Sequence, residues 1–565
     1  MMDRGILGIA GAPELAAAVA QAAADHGLDR IDKLNGLALY VGAGLKRSRA
    51  RLPTSNVILG DHFSDGSFSV DWGNFLTFSA GAGKPVEISR APLTGIPLYW
   101  SRIQRGLLVF SHLELIRGLE IDTGLDVDFL RHLLAYSNHR TTRTGLAGIE
   151  ELLPGTRLAF DGDVTTVRPT WSPWPHARKG IYDRDAAPLL SSTIRKCVSA
   201  WAKARPQIML ELSGGLDSSI VAAALAAGSH EFAAATIATA SPDGDERRYA
   251  RAVAERCGAA LIEYVHDDSG LDLAAGPRFL SPRPATYGVL AGIDAALGAA
   301  TAQLPGASIF TGIGGDNVFA ITRSILPVID ALKLREPIRR PAAALRDCAR
   351  LCDVTIWHAA RAAYRHWRRP PATGWPREDE YCCRPALPDA PLPHAWDRED
   401  ERIPPGKIRH VQSIQRILDF LDRPGRWHGR DVVAPLLSQP VVELCLAIPG
   451  WQWVAGGRDR AVAREAFATR LPDFVVWRRN KGRLETLCAT AFIEQRARLR
   501  PILLEGRLAG EGLLDRERIE SYLARDRLAG DYDYFRLLEL ADIELWIASV
   551  EGFGRAPMSL PQRAY

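Results

Sequence analysis

The sequence predicts an α/β protein in which a β-rich N-terminal part precedes a doubly wound parallel sheet with helical additions. Two observations predict this class. Residues 1 to about 170 contain short β-type runs separated by turns, such as GLALYVGAG and TRLAFDGDVTTVRPTW. From about residue 176, apolar strands alternate with amphipathic helices, which is typical of a parallel sheet covered by helices. We therefore expect two domains, 1–175 and 176–565.

The elements can be followed in chain order. The N-terminal part opens with a helix at 13–24 and has a second helix at 126–137, with β-type runs between them. The second part begins with a helix over AAPLLSSTIRKCVSAWAKA and a buried strand that ends near residue 212. The strands FAAATIAT and ALIEYVH then flank the helix DERRYARAVAERCG, and a further strand ends within SIFTGIGGDNVFA. Beyond it we expect mainly helices, interrupted by a proline-rich connector at 384–406.

Composition narrows the class of protein. The chain has 565 residues, 47% of them hydrophobic and 24% charged, as in an ordinary globular protein of more than one domain. A net charge of +4 gives no argument for binding nucleic acid or a membrane surface. No uncharged apolar run reaches the roughly 18–20 residues that span a bilayer. With Asp3 and Glu14 in a weak apolar segment, the start is a poor secretion signal, so we expect a cytoplasmic protein.

The stretch LELSGGLDSSIVAAALAAG at 210–228 joins an apolar strand to an alanine-rich helix through small polar residues. In open parallel sheets, ligands bind at the carboxyl ends of strands, beside helix N-termini. Gly214 and Gly215 let backbone N–H groups approach an anion, and the helix dipole adds positive potential there. The hydroxyls of Ser213, Ser218 and Ser219 offer further donors. The turn suits a phosphate or pyrophosphate, with a purely structural strand–helix turn as the alternative.

Asp217, in the same turn, indicates a cation. A carboxylate beside bound phosphates repels them unless a Mg²⁺ ion lies between. The turn is not a Walker P-loop, because no G-x-x-x-x-G-K-[ST] occurs in the chain. It is not a hydrolase nucleophile elbow either, because Glu211 stands where G-x-S-x-G needs its first glycine.

The whole string SGGLDSS resembles the pyrophosphate-binding loop of the ATP pyrophosphatases, in the form found in the asparagine synthetase superfamily. Those enzymes split ATP between its α- and β-phosphates, adenylate a carboxylate and let an amine attack the acyl-adenylate. The resemblance implies that this chain binds ATP and Mg²⁺. The residues it implies in nucleotide binding are Ser213, Gly214, Gly215, Leu216, Asp217, Ser218, Ser219 and Gly314.

Three further stretches resemble the same superfamily. TGIGGDNVF (311–319) is similar to its second acidic motif, which makes Asp316 a Mg²⁺ ligand beside Asp217. GRDVVAPLLSQPVVELCLAIP (429–449) puts Asp431 in an acidic position, where it would help to deprotonate the amine or form a structural salt bridge. LPDFVVWRRNKG (471–482) resembles the stretch that brings a lysine to the reacting phosphates. That residue would be Lys481, with a solvated surface lysine as the alternative.

The N-terminal part resembles a class II glutamine amidotransferase domain, an Ntn-type α+β sandwich, in RAPLTGIPLYW, LVFSHLELI and RTGLAGIEELLPGTRL. In that family a cysteine opens the Cys-Gly-Ile-x-Gly sequence and is the nucleophile. Here the corresponding string is LGIAG, with Leu7 in the place of the cysteine, and the first cysteine of the chain is Cys197. A leucine has no nucleophilic atom, so we do not expect glutamine hydrolysis.

The source of the amine separates the alternatives. An asparagine synthetase without glutaminase would use free ammonia. The β-lactam synthetases also have no nucleophilic cysteine, but they place a catalytic tyrosine in the second motif, where this chain has Ile313. The chain is most similar to the lasso peptide cyclases, on HRTTRTGLAGIEELLPG, LPHAW (392–396) and PPGKIRHVQSI (404–414). A binding scaffold without activity is disfavoured, because the motif residues would all have to persist unused.

The lasso cyclase resemblance implies a precursor peptide as substrate and macrolactam formation as the reaction. It also implies a leader peptidase and a leader-binding protein as partners, and no role for nucleic acid or a membrane. The basic, aromatic stretch WHAARAAYRHWRR (357–369) could line a groove for an extended peptide. A solvated amphipathic helix is the alternative for that stretch.

Overall fold

The computed structural model describes most of the chain between residues 2 and 553. The ranges outside the description are 33, 50–55, 65, 67, 94–95, 120, 182–184, 239–244, 266–271, 278, 285–287, 338, 369–373, 398–402, 422–430, 480–484 and 526–530, together with 1 and 554–565. Lys481 therefore lies outside the described residues. Within them, no helix combines the length and the apolar character that a membrane crossing requires.

The N-terminal part consists of two antiparallel six-stranded sheets, with strand orders β10-β8-β9-β1-β3-β2 and β12-β11-β7-β6-β5-β4. Their inner faces share one apolar core, to which Val109 of the first sheet and Leu76 and Leu158 of the second belong. The strands are β1 (Ile6–Ala10), β2 (Asp29–Ile31), β3 (Ala38–Val41), β4 (Arg47–Arg49), β5 (Asn56–Phe63), β6 (Trp72–Ser79), β7 (Val86–Arg90), β8 (Tyr99–Ile103), β9 (Gly106–Phe110), β10 (Ile149–Glu151), β11 (Thr156–Phe160) and β12 (Thr165–Pro169). The helices of this part are α1 (Pro13–Asp25), α2 (Val127–Ala135) and α3 (Trp174–Ala177).

A five-stranded parallel sheet follows, in the order β15-β14-β13-β16-β17. Its strands are β13 (Ile208–Glu211), β14 (Ala233–Ala238), β15 (Ala260–Val265), β16 (Ser308–Phe310) and β17 (Val432–Val433). Met209 and Ile309 face one core with helix α7, whereas Leu210 and Phe310 face another with α4 to α6. Helices therefore cover both faces, and the α/β prediction with a doubly wound parallel sheet is confirmed.

The remaining elements are helical. Those around the sheet are α4 (Ala186–Lys203), α5 (Leu216–Ala227), α6 (Arg247–Cys257) and α7 (Gly288–Thr301). Those that follow are α8 (Gly315–Val318), α9 (Leu326–Lys333), α10 (Arg339–Leu351), α11 (Ile356–Arg368), α12 (Pro405–Leu421), α13 (Gln439–Ala447), α14 (Gly450–Trp453), α15 (Ala461–Phe467), α16 (Asp473–Val476), α17 (Glu485–Glu505), α18 (Arg507–Gly510), α19 (Arg516–Leu523) and α20 (Tyr534–Phe553).

The C-terminal helices and the N-terminal sheet contribute to one buried apolar cluster. Leu7 and Phe110 of the sheet belong to the same buried cluster as Phe492 of α17 and Trp546 of α20. A side chain at Gly145 would overlap the Trp546 ring, so the glycine is needed for this close approach. The boundary between 1–175 and 176–565 stays a prediction, but the apolar core is shared across it.

Candidate active site

The strand order creates a crevice between β13 and β16. From β13 the chain goes outward to β14 and β15 on one side, and β16 and β17 continue the sheet on the other. In such sheets the loops after the two central strands diverge, and ligands bind at this topological switch point. The predicted turn at 213–219 follows β13, and the second acidic loop, 311–315, follows β16. The sheet thus brings the two predicted motifs together.

Glycines allow the two loops to touch. A Cβ atom on Gly312 would overlap the backbone nitrogen of Ser218, and one on Gly315 would overlap the side chain of Asp217. Gly314 has a φ of +88° and faces Leu437, whose Cγ would lie 2.5 Å from a Cβ on the glycine. Larger residues at these positions would separate the loops, because the neighbouring atoms are backbone or tightly packed side chains.

The turn at 213–219 presents backbone and hydroxyl donors at the start of α5. Gly214 has a φ of +69°, and no described side chain caps the helix at Gly215. The Oγ atoms of Ser213 and Ser218 lie 3.2 Å apart, and each lies near a backbone N–H of the turn: Gly215 N–H donates to Ser213 Oγ at 3.4 Å and Ser213 N–H to Ser218 Oγ at 3.3 Å. The N–H groups at the start of a helix have no acceptor within the helix, which makes this end an anion-binding arrangement.

Two predicted residues of the turn have structural contacts instead. The Ser219 hydroxyl donates to the Gly215 carbonyl at 2.7 Å and is fully buried. The Leu216 side chain is buried in the core, so only its backbone can face a ligand. Ser213 and Ser218 are therefore the hydroxyls nearest to the crevice.

Asp217 and Asp316 face a common point, which Arg460 occupies. Nη1 of Arg460 donates to both Asp217 carboxylate oxygens at 3.2 Å and also to Asp316 Oδ1. The side chains of Asp217 and Arg460 are each 14% exposed, and that of Asp316 is 48% exposed. The positive charge of the guanidinium thus lies between two carboxylates that would otherwise repel each other.

The carboxylate pair fits a Mg²⁺ ion that arrives with a nucleotide. Mg²⁺ is commonly held by one or two carboxylates, with phosphate oxygens and water completing its shell. Among the described residues, no group of three or more His, Cys, Asp or Glu side chains forms a closed metal cage. An open pair of hard oxygen donors beside an anion-binding turn matches the first arrangement.

Arg460 was not predicted from the sequence. It lies at the start of α15 with a φ of +52°, and its Nε donates to Asp459 at 2.8 Å. The one signal that the sequence offers is chemical: two adjacent carboxylates need a cation, and an arginine can supply that charge as well as Mg²⁺.

A second arginine lies beside the glycine turn. Arg478 donates to Glu246 at 2.5 Å, and its guanidinium stacks over the ring of Tyr249 at 3.7 Å. A Cβ on Gly214 would lie 2.6 Å from Cβ of Tyr249, so this cation and the turn are close neighbours. Lys481 is three residues further along the chain, outside the described residues, and its predicted role stays a prediction.

Asp431 is not brought to this crevice. It precedes β17, at the amino end of the sheet, and accepts a hydrogen bond from the Ser308 hydroxyl at 3.1 Å. Ser308 begins β16 and Thr311 follows it, so at about 3.3 Å per residue Asp431 lies roughly 10 Å from the loop. Its carboxylate pairs with Arg4 and Arg205.

The electrostatics of Asp431 agree with its position. Burial raises the pKa of Asp431, but Arg4 and Arg205 outweigh burial and hold the pKa below its ordinary value. A permanently ionised, doubly paired carboxylate does not accept protons near neutral pH. The structure therefore favours the structural salt bridge over a part in deprotonating the amine.

Comparison with known families agrees with this geometry. The protein-family model described as asparagine synthase matches residues 189–548. The match contains the turn at 213–219, Asp316, Arg460 and Lys481. No curated protein matches the chain.

Proposed function

This chain belongs to the asparagine synthase family of ATP-dependent amide-bond ligases, and from that premise we propose that it is a lasso peptide cyclase. In this reaction the side-chain carboxylate of an Asp or Glu in a precursor peptide attacks the α-phosphorus of ATP, and pyrophosphate leaves. The N-terminal amine of the same peptide then attacks the acyl carbon, and AMP leaves. The product is a macrolactam closed by an isopeptide bond.

The observation that carries this proposal is Leu7. It lies in β1, is fully buried, and takes the place of the nucleophilic cysteine that glutaminases of this kind require. Cys197, the first cysteine in the sequence, is buried in α4. Without a nucleophile, the N-terminal part supplies no ammonia from glutamine, so the amine comes with the substrate or from solution.

Ile313 favours attack by a peptide amine over β-lactam formation, which uses a catalytic tyrosine at this position. Its side chain packs against the apolar cluster around Met209 and Ile309 and has no group that relays a proton. A peptide whose own amine lies close to the activated carboxyl needs less help, because intramolecular attack replaces a bimolecular encounter.

Each residue of the crevice has a role in this reaction. The backbone N–H groups around Gly214 and Gly215, with the hydroxyls of Ser213 and Ser218, hold the pyrophosphate group. A Mg²⁺ ion bound by Asp217 and Asp316 would neutralise phosphate oxygens. Once these carboxylates have another cation, the guanidinium of Arg460 is free to donate to the phosphates, where negative charge builds as pyrophosphate leaves.

Helix α11 supports a peptide substrate. Trp357 is 82% exposed and Tyr364 is 62% exposed, and Arg361 and Arg365 lie exposed beside them. Residues at these spacings share one helix face, so rings and guanidiniums form a single surface. Contiguous exposed patches that contain large apolar side chains often mark interaction sites. A leader peptidase and a leader-binding protein are proposed as further partners.

The experiment that tests the proposal measures AMP and pyrophosphate release and the mass of the peptide. Candidate precursors are the short reading frames encoded beside the gene, supplied as leader-free peptides with ATP and Mg²⁺. The proposal expects AMP release only with a peptide, and a product lighter by one water. Turnover of free aspartate with ammonia, without any peptide, would instead establish an ammonia-dependent asparagine synthetase. Asp217→Asn serves as the inactive control in both arms.

A further inference from the structure

A second cavity of about 300 Å³ lies among the helices, away from the β13–β16 crevice. Its walls come from the segment after α3, from α9, from the start of α12 and from α14. The crevice meets α13 at its amino end, through Leu437, and the cavity lies at the carboxyl end of the same helix. Nine residues of α13 at about 1.5 Å each separate the two by roughly 13 Å.

The cavity contains a buried carboxyl group in which only one of the two oxygens accepts a described hydrogen bond. Asp330 of α9 is 1% exposed, and its Oδ1 accepts a bond from the backbone N–H of Gly406 at 2.8 Å. No described group donates to its Oδ2. Gly450 lines the cavity beside this oxygen, and a Cβ on that glycine would lie 3.3 Å from it. A buried polar atom left unpaired costs free energy, unless a ligand or water completes it.

The charges around the cavity are mostly positive. The ammonium group of Lys407 of α12 is buried and donates to the carbonyls of Leu446 and Ile448. Since an ammonium group has three protons, one is left for a ligand. Arg178 and Lys179 lie exposed at the rim, and α14 contributes no charged side chain. Of the charged residues that line the cavity, Asp330 is acidic, and Arg178, Lys179 and Lys407 are basic.

We propose that this cavity binds the carboxylate of a small, partly apolar molecule, such as the C-terminal residue of a peptide. The carboxylate accepts from the Lys407 ammonium and from a protonated Asp330, whose Oδ2 then donates. The apolar group packs against Trp451, Ile403 and Leu334 in the cavity wall. The site differs from the crevice in position and needs no nucleotide, so it goes beyond the proposed function.

The proton on Asp330 makes binding depend on pH. Burial raises the pKa of Asp330 to about 7, opposed by its bond from Gly406 and by the charges of Lys407 and Lys333. Burial lowers the pKa of Lys407 to about 8, opposed by Asp330 and Cys445. Helices α10 and α11 meet α9 through an apolar core around Val328 and Ile329. A carboxylate ligand therefore binds best below pH 7, where both groups carry their protons.

The size of the effect follows from the fraction of protein in the competent protonation state. Between pH 6 and pH 8 the protonated fraction of Asp330 falls about tenfold and that of Lys407 about twofold. We expect affinity to fall about twentyfold in the wild type. In Asp330→Asn the amide donates at every pH, so only the twofold loss from Lys407 remains.

Isothermal titration calorimetry without ATP tests the proposal with N-acetyl-leucine and its matched amide, N-acetyl-leucine amide. For a ligand of this size, a dissociation constant on the order of 1 mM is expected at pH 6. Lys407→Met should abolish binding, and Lys179→Glu, a change at an exposed position, should weaken binding severalfold. Lys333→Met removes an exposed charge of α9 that does not line the cavity, and at pH 6, where Asp330 is already mostly protonated, this variant should bind like the wild type.

The peptide Ac-Gly-Gly-Leu with a free C-terminus distinguishes the two sources of carboxylate. Tighter binding of this peptide than of N-acetyl-leucine indicates a peptide terminus, and equal binding indicates a small free acid. Equal affinity for acid and amide, a flat pH profile in the wild type, or no binding of either acid at 10 mM overturns the proposal. Because the assay contains no nucleotide, its result is independent of whether the chain is a cyclase.

Discussion

The contact of Arg460 with two carboxylates gives a quantitative prediction for Arg460→Met. Methionine keeps much of the side-chain volume and removes the charge, so Asp217 and Asp316 face each other without a cation. We expect the variant to be less stable than the wild type in metal-free buffer. We also expect Mg²⁺ to stabilise it more than the wild type, because the guanidinium no longer competes for the carboxylates.

The magnitude follows from burial. Breaking a fully buried ion pair costs about 3–5 kcal/mol, and breaking an exposed one costs about 0–1 kcal/mol. The Asp217 and Arg460 side chains are each 14% exposed, whereas Asp316 is 48% exposed and adds little. Asp459 keeps a second partner, because Arg464 also donates to it at 2.8 Å. We therefore expect a loss of about 2 kcal/mol in the free energy of unfolding.

The assay is thermal unfolding with and without 5 mM Mg²⁺. At about 2.1 cal/mol/K of unfolding entropy per residue, 2 kcal/mol lowers the Tm of a chain of this length by roughly 2 °C if it unfolds as one unit. Arg458→Met is the matched control, because Arg458 packs over Trp477 and contacts neither carboxylate. Equal stability of Arg460→Met and wild type without metal, or an equal Mg²⁺ effect on both, would refute the reasoning.

Three further predictions follow from the packing and the buried titratable groups. Gly315→Ala should lower peptide-dependent AMP release at least about 100-fold, because the added Cβ overlaps the Asp217 side chain. Gly81→Ala is the control and should leave the rate unchanged, because its Cβ meets only a lysine methylene at 3.7 Å. Asp330→Asn should raise the urea-derived free energy of unfolding by up to about 4 kcal/mol at pH 8 and little at pH 4. The pKa of Asp330 in the folded chain, about 7, exceeds its ordinary value of 3.8, so the wild type loses stability as pH rises from about 4 to about 7. Parallel stability–pH profiles of the wild type and Asp330→Asn would contradict this prediction. Burial lowers the pKa of five histidines to about 3–4, so they stay neutral in the folded chain, and stability should fall by about 6 kcal/mol per pH unit near pH 5; circular dichroism that detects no loss of stability between pH 6.5 and pH 5 would exclude it. These histidines are His112, His132, His139, His394 and His410.

The nucleotide turn was predictable because its signal is local. An apolar run, two glycines and an alanine-rich stretch determine strand, turn and helix within 19 residues, and β13 and α5 match that prediction. Arg460 was not predictable in this way. It is 243 residues from Asp217 in the sequence, and only the packing of α15 brings the two together.

Asp431 shows a different limit of sequence reasoning. The sequence predicts an acidic position within 429–449 but no strand there, and β17 has only two residues. A residue just before so short a strand lies at the amino end of the sheet, and a residue just after it lies at the carboxyl end, where the crevice is. Local pattern does not fix that boundary, whereas the hydrogen bond from Ile309 N to the Asp431 carbonyl does.

The shared core of the N-terminal sheet and the C-terminal helices bears on truncation. A shortened chain that begins near residue 176 would expose part of the buried cluster that contains Phe492 and Trp546, because Leu7 and Phe110 belong to the same cluster. The N-terminal sheet thus shields apolar surface of the C-terminal helices from water, and a chain without this sheet should aggregate.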